Sequence, residues 1–186
     1  MLKVSRLVRV ALFSAVALAP APLPAADIDL YAWQFFDGPD AGDPKSSSAQ
    51  LIYGVPETDD IQVSGSCDAS DSKAAVPHLI FGVDVGSLSD GAETELRISS
   101  GDVEQTLKGL VQLAENEEGL DGVLVSLDVS DPLWTLLEQK DELSYSVPNL
   151  TDAKLSLKRG REAIGQFLAA CRKLAPTPSD NTKAAP

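Results

Sequence analysis

The sequence predicts a mainly-β (α+β) domain: an antiparallel β-sandwich of about eight strands with a C-terminal helix attached by a disulfide. Three observations predict it. Apolar and polar residues alternate with period two along most of the chain. The alternating runs are short and are separated by Gly, Pro, Asp, Asn and Ser clusters. The last apolar segment instead has helical spacing and carries one of only two cysteines.

Residues 1–25 come first. Lys3, Arg6 and Arg9 precede an apolar run, Val10 to Leu18, and a small-residue stretch ending at Ala25. This is the order of a cleavable signal peptide. The run is far short of the roughly 20 residues that span a bilayer, so no membrane anchor is expected. Cleavage after Ala25 places Leu23 and Ala25 at the positions the peptidase reads, and no cysteine lies nearby to take a lipid. The expected location is the bacterial periplasm. Residues 26–174 then form a single β-rich domain, and the Pro-, Ser- and Ala-rich residues 175–186 a disordered tail.

Within the domain, Tyr31, Trp33 and Phe35 share one strand face. Asp37 to Ser48, DGPDAGDPKSSS, has turn composition and is expected as a loop. Further strand faces are Ile61, Val63 and Cys67; Leu79, Phe81, Val83 and Val85; and Leu96 and Ile98. Later ones are Val123, Val125, Leu127 and Val129; Leu143, Tyr145 and Val147; and Leu155 and Leu157. Segment 103–114 fits two patterns: Val103, Leu107, Leu110, Val111 and Ala114 a helical stripe, Val103, Leu107, Val111 and Leu113 a strand. The preceding Ser-Gly-Asp turn and Gly109, which costs a helix about 1 kcal/mol, favour the strand. Asp131-Pro132 supplies an N-cap and a first helical residue for a short helix to Gln139. A second helix runs from about Gly160 to Leu174, with Ile164, Phe167, Leu168, Cys171 and Leu174 on its apolar stripe.

Cys67 and Cys171 therefore both point inward, from different elements. In an oxidising compartment they form a structural disulfide. A redox role usually employs a close C-x-x-C pair, and the sequence has none.

Charge bounds the partners. The full chain has 15 basic and 28 acidic residues, a net −13. Removing residues 1–25 leaves 12 basic against 28 acidic, a net −16. Such a chain repels nucleic acid and anionic lipid. The charge allows two readings: it serves solubility, or it attracts a cationic partner. The candidate partners are a basic envelope protein or a small ligand.

No catalytic motif stands out, and no cofactor or metal is expected. His78 is the one histidine, and its parity is opposite to that of Leu79 and Phe81, which puts it on the outer face. Asp37, Asp40 and Asp43 are spaced three and three, unlike the ligands of an EF-hand loop. Glu57, Asp59 and Asp60, just before the Cys67 strand, form a candidate acidic binding loop. Glu115 to Asp121 forms a second acidic stretch.

The aromatic N-terminal strand with Trp33, the segment LIYGVPETDD, the inward Cys67 and the terminal LSLKRGREAIGQFLAACR resemble a group of small exported proteobacterial proteins of unassigned function. YGVPETDD and FLAAC are its most specific parts. A weaker likeness extends to periplasmic accessory proteins of type VI secretion, which share a strand cysteine and a C-terminal helix cysteine. The resemblance implies the disulfide and the compartment, and it supplies no functional residues. The expected function is a non-enzymatic binding or envelope accessory protein. Two alternatives stand beside it: an acidic inhibitor or immunity-like protein for a cationic envelope enzyme, and a carboxylate-dependent hydrolase.

Overall fold

A computed structural model of the protein describes residues 30–39, 47–68, 76–114 and 119–174. The expected signal peptide and the expected disordered tail lie outside the described residues, as do Asp40 and Asp43.

Nine strands follow the chain: β1 (Ala32–Pro39), β2 (Ser47–Gly54), β3 (Ile61–Asp68), β4 (His78–Gly82), β5 (Glu93–Ser100), β6 (Val103–Gln112), β7 (Gly122–Ser126), β8 (Glu142–Ser146) and β9 (Ala153–Ser156). Two helices join them, α1 (Pro132–Gln139) after β7 and α2 (Arg161–Leu174) after β9. The strands form one hydrogen-bonded sheet in the order β1-β2-β3-β4-β7-β6-β5-β8-β9. Every neighbouring pair is antiparallel.

The sheet folds back over itself. Tyr145 of β8 and Phe81 of β4 meet edge to face with ring centroids 5.2 Å apart. The Tyr145 hydroxyl donates to the Gly82 carbonyl at 3.0 Å. Three strands separate β4 from β8 in sheet order, so only a strongly curled sheet brings them together. The far ends approach as well: Trp33 Nε1 of β1 donates to the Ser156 carbonyl of β9 at 2.9 Å.

The inner face is the core expected from the period-two pattern. Leu51, Val63, Cys67, Leu79, Phe81, Leu96, Ile98, Val123, Val125, Leu143, Tyr145 and Leu155 are all buried there. Both helices add to it. Asp131 caps α1, its carboxylate accepting from Leu133 N at 2.8 Å, and Pro132 occupies the first turn. Ala163, Ile164, Phe167, Leu168 and Cys171 form the buried stripe of α2. Glu162 in its first turn and Arg172 and Lys173 in its last suit the helix dipole. Trp134 of α1 packs on Phe167 of α2 at 5.9 Å. The Cys67–Cys171 disulfide fixes α2 to β3 across a Cα separation of 5.8 Å.

Two expectations need correction. The loop expected over Asp37–Ser48 is shorter. β1 continues through Pro39, and β2 already begins at Ser47, with Asp37 opposite Ala49 and Pro39 opposite Ser47. β1 is an edge strand in sheet order, and there a proline's missing N–H removes no ladder bond. Segment 103–112 is a strand, as the turn predicted, but Val103 and Leu113 at its ends are exposed rather than inward. The turn joining β5 and β6 is two residues long. Gly101 has φ 60°, the left-handed position that a type II′ hairpin requires first.

Burial holds the Tyr145 hydroxyl far above its ordinary pKa of 10.0, with Tyr53 and Tyr31 adding to the shift. The folded state therefore keeps this group neutral while the unfolded chain ionises above pH 10. Its contribution is complete below pH 10 and declines as pH rises further. Tyr145→Phe should cost about 1 kcal/mol at pH 7 through the lost hydrogen bond. In urea titrations followed by circular dichroism from pH 8 to 11, the gap between the two proteins should narrow above pH 10. A constant gap would refute the linkage.

Candidate functional site

Strands that are apolar on both faces mark the site. In β4, Ile80 lies between inward Leu79 and Phe81; in β7, Leu124 lies between inward Val123 and Val125; in β6, Leu110 precedes inward Val111. Register places these outward residues in one row. Ser64 of β3 is opposite Ile80, Ile80 opposite Leu124, Leu124 opposite Leu110, and Leu110 opposite Glu93 of β5. Ile61, Leu113 and Leu120 extend the row into an open groove of about 680 Å³. Leu110 and Leu113 are 43% and 37% exposed, much more than side chains serving only the core. A contiguous apolar strip on a polar surface is a recognition feature.

Carboxylates surround the strip. Asp59 and Asp90 line the groove. Glu93 stands at the end of the row, and Glu95 lies opposite Lys108. Among the described residues the one ion pair is Lys154–Glu142 at 3.7 Å, remote in sequence from this rim. Lys108 is the basic neighbour on this rim, facing Glu95, and among the described residues none of Asp59, Asp90, Glu93 and Glu95 is in an ion pair. Asp90 is held by a hydrogen bond from Leu113 N at 2.9 Å, and Asp121 by one from Ala114 N at 2.7 Å.

The expected acidic loop of Glu57, Asp59 and Asp60 is the turn between β2 and β3, and its members diverge. The turn closes through Val55 N donating to the Asp60 carbonyl at 2.8 Å, and Thr58 Oγ1 donates to the Val55 carbonyl at 2.8 Å. Glu57 sits exposed with φ 65°. Asp60 accepts from the Tyr31 hydroxyl at 2.7 Å, and that hydrogen bond, ahead of burial, raises the tyrosine's pKa. Asp59 alone of the three reaches the groove. The second acidic stretch contributes Gly119 and Leu120 to the same groove. Its residues 115–118 lie outside the described residues.

Beside the groove, sharing Leu110 and Leu124 with it, lies a cleft of about 510 Å³ lined by Glu93, Glu95, Lys108, Gly109 and Ser126 among others. His78 is on the outer face, as its parity predicts, and its Nδ1 is 2.8 Å from Ser126 Oγ. Nucleophilic activation of such a serine also needs a group that orients the ring from its other nitrogen. Among the described residues, Ser126 is the one side-chain partner of His78.

The apolar row escapes a reading of the sequence that takes each inward set as the whole strand. The signal is present: Leu-Ile-Phe and Val-Leu-Val are continuous apolar triplets, which an amphipathic strand does not require. No protein-family model, curated protein or solved structure matches the chain.

Proposed function

We propose that the chain is an exported, non-enzymatic envelope protein that binds a basic protein through this groove. The observation that carries the reading is the apolar row Ile80–Leu124–Leu110 with Asp59, Asp90 and Glu93 around it. The row supplies contact area that water leaves on binding. The net acidic rim, within a chain of net −13, selects a cationic partner and speeds the encounter. The signal-like residues 1–25 and the disulfide support an oxidising, exported setting. An inhibitor of a cationic envelope enzyme is a special case of the same reading, distinguished by whether the captured partner loses activity.

The test is capture from periplasmic extract with the chain beginning at Ala26, followed by association kinetics against salt. Screening lengths shrink from about 10 Å at 0.1 M to about 3 Å at 1 M. The association rate should fall about tenfold or more over that range, and Asp59→Asn with Asp90→Asn should flatten the dependence. Leu110→Asp should abolish capture. A partner whose association rate is flat with salt, or which tolerates Leu110→Asp, would overturn the proposal.

A further inference from the structure

The sheet is split at the cleft. Val111 N donates to the Ala92 carbonyl at 2.8 Å and the Val111 carbonyl accepts from Gly91 N at 2.8 Å, so the main chain of Val111 faces the β5 side. Alternation along an antiparallel ladder then directs the main chain of Val103, Gln105, Leu107 and Gly109 toward β5. Glu104, Thr106, Lys108, Leu110 and Gln112 direct theirs the other way, toward β7. β7 pairs with β6 only over Leu110–Gln112. Leu110–Leu124 is its last hydrogen-bonded pair, and Lys108 and Ser126, next in line, are not paired. From Glu104 to Lys108, β6 thus offers an edge of peptide groups with no strand beside it among the described residues, in the interior of the sheet order. The cleft lies where this edge opens.

An open edge of this kind is a template for an added strand. We propose that an extended, basic segment of a protein partner pairs with β6 along Glu104–Lys108, entering the cleft and running on into the apolar groove. Three observations choose this occupant. The edge supplies unpaired donors and acceptors at every second residue. The flanking outer-face charges on β5 and β6 are Glu93, Glu95 and Glu104 against Arg97 and Lys108, a net negative set in a net negative chain. Leu110 and Leu124 belong to both cleft and groove, so one segment can use both. A second copy of this chain is disfavoured by self-repulsion between two acidic surfaces. The inference rests on the basic-partner reading and adds its mode: main-chain pairing supplies affinity, and alternate side chains supply choice.

The probe is a nine-residue synthetic peptide alternating Lys and Val, with amide exchange read residue by residue in the chain beginning at Ala26. In the free protein, Thr106 and Lys108 amides should exchange at least tenfold faster than Leu107 and Gly109, which bond to β5. With peptide up to 1 mM, Thr106 and Lys108 should slow at least tenfold. Residues of a hydrogen-bonded pair share a face, so the lysines, beside outward Thr106, bring their amides to β6. N-methylation of the lysines should remove the protection, and N-methylation of the valines should leave it. Thr106→Pro deletes one outward donor while sparing the β5 ladder, and should abolish peptide binding with the circular dichroism spectrum unchanged. Protection of Thr106 and Lys108 already present in the free chain would overturn the proposal, because the edge would be occupied. So would absence of protection at 1 mM peptide, or protection indifferent to lysine N-methylation. A basic partner captured with steep salt dependence but without Thr106 and Lys108 protection would refute strand addition alone and leave the groove reading in place.

Discussion

Replacing both Cys67 and Cys171 with alanine is expected to lower stability by about 2–5 kcal/mol. The bridge closes a loop of 104 positions, and loop-closure entropy for that length is worth roughly 4–5 kcal/mol before strain is subtracted. Both sulfurs are inside the core: Cys67 is 1% exposed and Cys171 fully buried. The bridge also acts where few covalent constraints exist. α2 follows the last strand and packs on β1, β2 and β3, which begin the sheet. Without the bridge, the first strands and the last helix are joined by packing alone. For a domain of this size the loss corresponds to a fall of roughly 4–20 °C in Tm. Thermal and urea unfolding of the double variant check it. A change below about 1 kcal/mol would show that packing by Phe167, Ile164 and Leu168 suffices.

Gly122→Ala is the second large effect, at about 3 kcal/mol. Gly122 lies in β7 opposite Gly82 of β4 and Gln112 of β6. A Cβ placed there meets the Phe81 carbonyl oxygen in hard overlap, with the Phe81 carbonyl carbon at 2.7 Å and Gly82 Cα at 3.1 Å. These are backbone atoms, so no rotamer change relieves the clash. The strands must separate, and β7 is the strand that joins the β4 side of the sheet to the β6 side. Gly38→Ala is the control. A Cβ on Gly38 would meet nothing within 4 Å, so the effect should stay within about 0.5 kcal/mol. Equal midpoints for the two variants in urea would refute the argument.

What the sequence made legible was local. Alternation found the inward face of nearly every strand, because one buried face imposes period two on side chains whatever the neighbours are. Asp131-Pro132 gave the start of α1, because cap chemistry depends on adjacent residues. The bridge was legible through parity: Cys67 followed Val63 inward, and Cys171 followed Phe167 and Leu168. What stayed hidden was non-local. Nothing in β7 says that it inserts between β4 and β6, so the row Ile80–Leu124–Leu110 could not be assembled, nor the His78–Ser126 contact beside it. The candidate acidic loop lies in the turn between β2 and β3, and its side chains are divided by partners that the local sequence does not show: Tyr31 claims Asp60, and Asp59 is left to the groove.

The bond from Trp33 to Ser156 sets a temporal order. Its ends are 123 positions apart, and α2, whose packing covers β1 and β2, comes later still. A chain emerging from its N-terminus cannot complete this seam until almost all of the domain has appeared. The β5–β6 hairpin, closed by a two-residue turn, can form from local contacts alone. β1 is the reverse case: it can pair with β2 early, but its other side waits for β9. The seam between the two ends is therefore the last part of the sheet that a growing chain can complete. The closing contact is also the one most sensitive to truncation. Loss of α2 would leave the first strand built and its docking surface missing.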